Sequence, residues 1–216
     1  MAQNHQYIVS VDEQKGPDGA LIFTFVPKSS QEGTAPNGQH RAPQYVVAGR
    51  QAGNQPVVEW VASSDDPGTA KDEIETEVRA RLNELAIWID RVTALVGQIE
   101  QWAKEMNWTT RRVDKRLDDV RVGVHRVPGL LMQVDTCKIL LEPIGRSAPG
   151  AEGVVDLYLM PGYDDIANLY YYDGRWNVHY TFPSSKAVAT VSEGTAVPLS
   201  KEILEKIVAE MKEHAA

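Results

Sequence analysis

The sequence predicts an α+β fold: N-terminal β-hairpins, one long amphipathic helix, an antiparallel meander of about five strands and a C-terminal helix. Three observations predict it. Runs of β-branched and aromatic residues, separated by turn formers, lie on either side of a single long helical stretch. That stretch carries a sustained apolar heptad. Strand-like and helix-like segments are segregated, whereas a doubly wound parallel sheet needs them to alternate.

QYIVSVD at 6–12 and ALIFTFVP at 20–27 flank EQKGPDG, a connection full of turn formers, and predict a hairpin. The polar stretch KSSQEGTAPNGQHRAP at 28–43 holds too little apolar surface to order itself and is expected to be a loop. A second hairpin follows, from QYVVAG at 44–49 through RQAGNQ to PVVEWVAS at 56–63. Asp65 or Asp66 is placed to cap the next helix, with Pro67 in its first turn. These signals divide the chain into a β-hairpin region, 1–66, and an α+β domain, 67–216.

The helical stretch is expected over about 69–106, where Gly97 is the only internal glycine. A helix of that length spans roughly 57 Å at about 1.5 Å per residue. Val78, Leu82, Leu85, Ile89, Val92, Val96, Ile99, Ala103 and Met106 alternate spacings of four and three. Trp88, Leu95 and Trp102 add a third apolar row beside this seam. A stripe that wide argues that the helix lies against a sheet, another helix or both. Its length also suits pairing with a second copy.

Next come TTRRVDKRLDDVRVGVHRVPG and a hairpin, GLLMQV at 129–134 with CKILLEPIG at 137–145, joined by Asp135-Thr136. VVDLYLMP at 154–161, ANLYYYDG at 167–174 and RWNVHYTF at 175–182 continue the meander, with Asp173-Gly174 as a hairpin turn. Asp164 and Asp165, in PGYDDIAN, read as part of a Pro/Gly turn. Ser200 caps the last helix, Leu199 and Leu204 form a hydrophobic staple, and Ile203, Leu204, Ile207, Val208 and Met211 make its apolar face.

The 216 residues are 43% hydrophobic and 24% charged, so a packed core is expected. A formal net charge of -8 works against non-specific binding to nucleic acid or anionic membrane. Cys137 is the only cysteine, which fits a reducing compartment. The N-terminus lacks the pattern of a secretory signal and no segment has the apolar length of a membrane span, so a cytoplasmic protein without membrane contact is expected.

Successive strand residues point to opposite faces, which sorts the candidate site residues. Ile139, Leu141, Val155, Leu157, Leu159, Leu169, Tyr171, Trp176, Val178, Tyr180 and Phe182 share the core parity. Lys138, Glu142, Asp156, Tyr158, Tyr170, Tyr172, Arg175, Asn177 and His179 share the other. Three function readings follow. The leading one is a non-enzymatic protein-interaction module, an adaptor, chaperone-like or regulatory subunit. It would use the long helix and an open sheet face carrying Tyr158, Tyr170, Tyr172, His179 and Asp156, since tyrosine joins contact area to a hydrogen-bonding tip. The second is nucleic-acid association through Arg111, Arg112, Lys115, Arg116, Arg121 and Arg126, in the one stretch, 108–150, where basic residues outnumber acidic ones. Asp114, Asp118 and Asp119 interleave with these cations and offer them local ion pairs. The third is a metal-dependent hydrolase using Glu142 and Asp156 beside Lys138, although the usual acid and (D/E)-x-K order of such nucleases is absent. The five histidines lack metal-ligand spacing, and phosphate-loop, dinucleotide and serine-elbow motifs are missing. A Cys137–His179 nucleophile pair is less expected than a cysteine packed in a strand. No cofactor is expected.

Overall fold

A computed structural model describes residues 7–12, 19–28, 44–53, 55–63, 68, 70–180 and 196–214. The α+β fold is present, with two antiparallel sheets, one long helix and a C-terminal helix. The expected caps Asp65 and Asp66, most of the polar stretch 28–43 and the end of the last strand at 181–182 lie outside the described residues.

The chain divides into two compact units, Met1–Ile87 with Asp118–His125, and Trp88–Leu117 with Arg126–Ala216. The first contains a four-stranded sheet in the order β1 (Tyr7–Asp12), β2 (Leu21–Pro27), β3 (Tyr45–Ala52) and β4 (Gln55–Ser63). Alternation selects its inner face. Phe23, Phe25, Tyr45 and Val47 are buried against Ile74, Val78 and Leu82 of helix α1 (Ala70–Glu105). Gly49 permits this contact, because a Cβ there would stand 2.8 Å from Val78 Cγ1 and 3.0 Å from Leu82 Cδ1. In the same unit Arg121 grips Glu84 with Nε and Nη2, both at 2.7 Å, and reaches Glu77 through Nη1 at 3.0 Å.

The second unit takes up the later half of α1, from Trp88 onward. Trp88, Val92, Leu95, Val96, Ile99 and Ala103 are buried in its core. The heptad seam is therefore spent on two sheets in succession, as its wide apolar stripe requires. The helix ends where Asn107 takes a positive φ of 59°. Trp108 N donates to Ala103 O at 2.8 Å and Asn107 N to Lys104 O at 3.1 Å, the paired bonds of a Schellman cap.

The large sheet is seven-stranded: β5 (Thr109–Asp119), β6 (Gly123–Val134), β7 (Cys137–Gly145), β8 (Val154–Met160), β9 (Asp164–Tyr172), β10 (Arg175–His179) and β11 (Val197–Pro198), each beside the next. The sequence led us to expect about five strands here. The two additional ones are β5, which contains most of the basic segment, and the two-residue edge β11. Strand β9 begins at Asp164, so Asp164 and Asp165 lie in a strand instead of the expected turn. Met132, Ile139, Leu141, Val155, Leu157 and Leu169 fill the inner face. Helix α2 (Lys201–His214) covers it with Leu204, Ile207, Val208 and Met211, and Ser200 caps that helix through Oγ, which accepts from Ile203 N at 3.3 Å.

Candidate interaction face

Register turns the outer face of the large sheet into rows. Glu142 pairs with Asp156, Asp156 with Asn168, and Asn168 with His179, so one polar row crosses four strands. Beside it runs an apolar and aromatic row, Leu131–Leu140–Tyr158–Ile166. On the other side lies the row Val154–Tyr170–Asn177–Pro198. Four of the five expected contact residues, Asp156, Tyr158, Tyr170 and His179, therefore sit in three adjacent rows. Tyr172 lies one row beyond, opposite Arg175.

Asp156 anchors the polar row. It is only 8% exposed although it is on the outer face, and both carboxylate oxygens are engaged. Tyr158 Oη donates to Oδ2 at 2.8 Å, and Asn168 Nδ2 donates to Oδ1 at 2.8 Å. Burial pushes the Tyr158 phenol pKa well above its ordinary value, and the hydrogen bond to Asp156 with the charges of Asp156 and Glu142 pushes it further. Tyr158 is thus a fixed, neutral hydroxyl. Asn177, 2% exposed, holds the β9–β10 turn by donating to Tyr172 O and Arg175 O at 3.3 and 3.2 Å.

Aromatic pairs stand on this base. Tyr170 and His179 meet edge to face with ring centroids 5.0 Å apart. Tyr158 meets Tyr163 in the same way at 5.3 Å. Tyr163 adopts a φ of 55°, a left-handed conformation unfavourable for a bulky side chain, and is 49% exposed. A bulge at Asp165 shifts the β8–β9 register between Tyr158 and Leu159, next to this pair. Ile166, directly opposite Tyr158, is 47% exposed.

Sequence parity missed Leu131, Leu140, Tyr163 and Ile166. The first two share the parity of Lys138 and Glu142 and were within its reach. The last two were hidden because PGYDDIAN reads as a turn.

The lysine beside the carboxylates is Lys115, whose Nζ lies 2.7 Å from Glu142 Oε1. Lys138 stands opposite Met160, away from the Glu142–Asp156 pair. Both Asp156 oxygens are committed to Tyr158 and Asn168, and one Glu142 oxygen to Lys115. Among the described residues no group of three or more His, Cys, Asp or Glu side chains is placed to hold a metal ion.

The basic segment is dispersed. Arg112 pairs with Glu100 at 2.9 Å, Lys115 with Glu142, and Arg121 with Glu77 and Glu84. Arg111, Arg116 and Arg126 are exposed. Cys137 is half-buried at the start of β7. No helix among the described residues is long and apolar enough to cross a membrane. Comparison of the chain with models of protein families, with curated proteins and with solved structures finds no match in any of the three.

Proposed function

We propose that this protein is a non-enzymatic interaction module whose partner is another protein, bound on the outer face of the large sheet at Tyr158, Tyr163, Ile166, Tyr170 and His179. One observation carries the reading: aromatic side chains with half-open surface are mounted on a hydrogen-bonded Asp156–Tyr158–Asn168 unit whose central carboxylate is buried. Rigid aromatics bind at low entropic cost, and tyrosine and isoleucine around a satisfied polar centre match the make-up of protein-binding surfaces. The left-handed backbone at Tyr163 fits the same reading, since strained positions persist where they present a side chain for use. The long helix contributes as scaffold, because its apolar seam is already engaged by the two cores.

The basic segment offers nucleic acid less. Arg112, Lys115 and Arg121 already hold carboxylates, and releasing them adds to the cost of phosphate contacts there.

The test is differential capture from the native cell extract. The wild type and a Tyr163→Ser/Ile166→Ser double variant, both at exposed positions, serve as baits. A protein retained by the wild type and lost with the double variant, at unchanged melting temperature, supports the reading. Identical capture by both baits contradicts it.

A further inference from the structure

The outer face of the four-stranded sheet shows a different pattern. Register builds its rows as Ile8–Val26, Ser10–Thr24–Val46–Ala62, Asp12–Ile22–Ala48–Glu59 and Arg50–Val57. The central strands β2 and β3 place Ile22, Thr24, Val26, Val46 and Ala48 on this face, with Arg50 as their only charge. Asp12 and Glu59 lie on the two edge strands. Val61 is the extra residue of the bulge on β4, where the register shifts between Val46 and Val47, and it is 57% exposed; Ile8 is exposed as well.

An antiparallel sheet that keeps one face in water alternates apolar with polar residues. The large sheet crosses its outer face with one wholly polar row, Glu142–Asp156–Asn168–His179, between rows that hold apolar and aromatic side chains, whereas the central strands of the small sheet are polar on theirs only at Thr24 and Arg50. On the small sheet Ile74, Val78 and Leu82 of α1 cover the inner face, and among the described residues the outer face leaves Ile8 and Val61 exposed.

We infer that the outer face of β1–β4 is a self-association surface, on which a second copy of this chain packs sheet against sheet. Charge argues for a second copy. Within β1–β4 this face carries one cation, Arg50, and two anions, Asp12 and Glu59, so a twofold axis through the apolar centre lets each copy offer a cation to the other's acids. An apolar centre within a charged margin is also the anatomy of a protein interface. The β-branched side chains suit face-to-face packing of two sheets about 10 Å apart.

Area sets the strength. Four strands about 4.8 Å apart and roughly six residues long give about 400 Å² of flat face per copy. A pair then buries roughly 800 Å² before the relief of the side chains is counted, in the class of weak, reversible interfaces. The association uses none of the residues of the tyrosine face, so the two surfaces are tested apart.

Sedimentation equilibrium of the full chain decides the matter, run from low micromolar to several hundred micromolar. The wild type is expected to rise from the monomer mass of 23.9 kDa toward twice that value. Ile22→Lys and Val61→Lys should each abolish the rise; Val61 is exposed at a bulge, so its variant stays informative should Ile22→Lys fail to fold. Arg50→Glu, which leaves the face with acids alone, should move the midpoint at least tenfold upward. Gln98→Lys, on an exposed helix position in the other unit, should leave it unchanged. A wild type that stays monomeric throughout, or a Val61→Lys variant that associates as the wild type does, overturns the inference.

Discussion

Replacing Asp156 tests the physical basis of the tyrosine face. Its two oxygens accept one bond each, from Tyr158 Oη and Asn168 Nδ2, both 2.8 Å long. A hydrogen bond to a charged acceptor contributes about 1.5–3 kcal/mol net. Tyr158 and Asn168 are both half-buried, so water replaces part of what each loses. Asp156→Ala should therefore destabilise the second unit by about 2–4 kcal/mol, and Asp156→Asn, which keeps the shape and one acceptor, by roughly half as much.

Urea unfolding followed by tryptophan fluorescence provides the assay. Four of the five tryptophans, Trp88, Trp102, Trp108 and Trp176, belong to the second unit, so a Trp60→Phe background makes the signal report on that unit alone. The midpoint should fall with an unchanged slope. A double-mutant cycle with Tyr158→Phe should give a coupling of about 1–2 kcal/mol, the range for side chains in one hydrogen-bond network. A loss under about 0.5 kcal/mol for Asp156→Ala, the size of an ordinary surface change, would refute the anchoring role.

Further tests draw on other contacts. Because the folded state raises the Tyr158 pKa, its contribution is fully present below the ordinary phenol value of about 10 and is lost as pH rises toward the folded value. Alkaline stability should then fall less steeply in Tyr158→Phe than in the wild type, read by melting temperature between pH 9 and 11. Gly153→Ala would place a Cβ 2.9 Å from Trp88 Cζ3 and 3.3 Å from Trp176 Cη2, two rigid rings, and should cost about 1–3 kcal/mol in the same urea assay. Labelled DNA or RNA should bind no tighter than about 1 µM at physiological salt, the non-specific range. Tighter binding that disappears in Arg111→Ala/Arg112→Ala would return the function to the basic segment.

Much of the fold was legible because period alone specifies it. Alternation places Phe23, Phe25 and Val47 inward, and the four-three spacing from Val78 to Ala103 marks the buried side of α1. Asp173 and Gly174, both at positive φ, form the hairpin turn that their pairing predicts. Strand β5 was hidden because nearly every residue from Thr109 to Asp119 is charged or polar, and its order comes from partners distant in sequence such as Glu100 and Glu142. For the candidate site, parity located Asp156, Tyr158, Tyr170 and His179 but not the rows that join them. Rows depend on cross-strand register, and register here is set by bulges at Ile144 and Asp165 that a single chain does not announce. The burial of Asp156 escaped notice for the same reason, since Asn168 reaches it only across the strand pair.

The proposed function requires a protein partner to sit on Tyr163 and Ile166. A photo-reactive phenylalanine analogue placed at position 163 or 166, and at Gln98 as a control, tests it by cross-linking in the native cell extract. We predict one discrete adduct of higher mass from positions 163 and 166 and none from 98, with the adduct lost when Tyr170 is changed to Ala. No adduct from either face position, or the same adducts from all three, would contradict the claim.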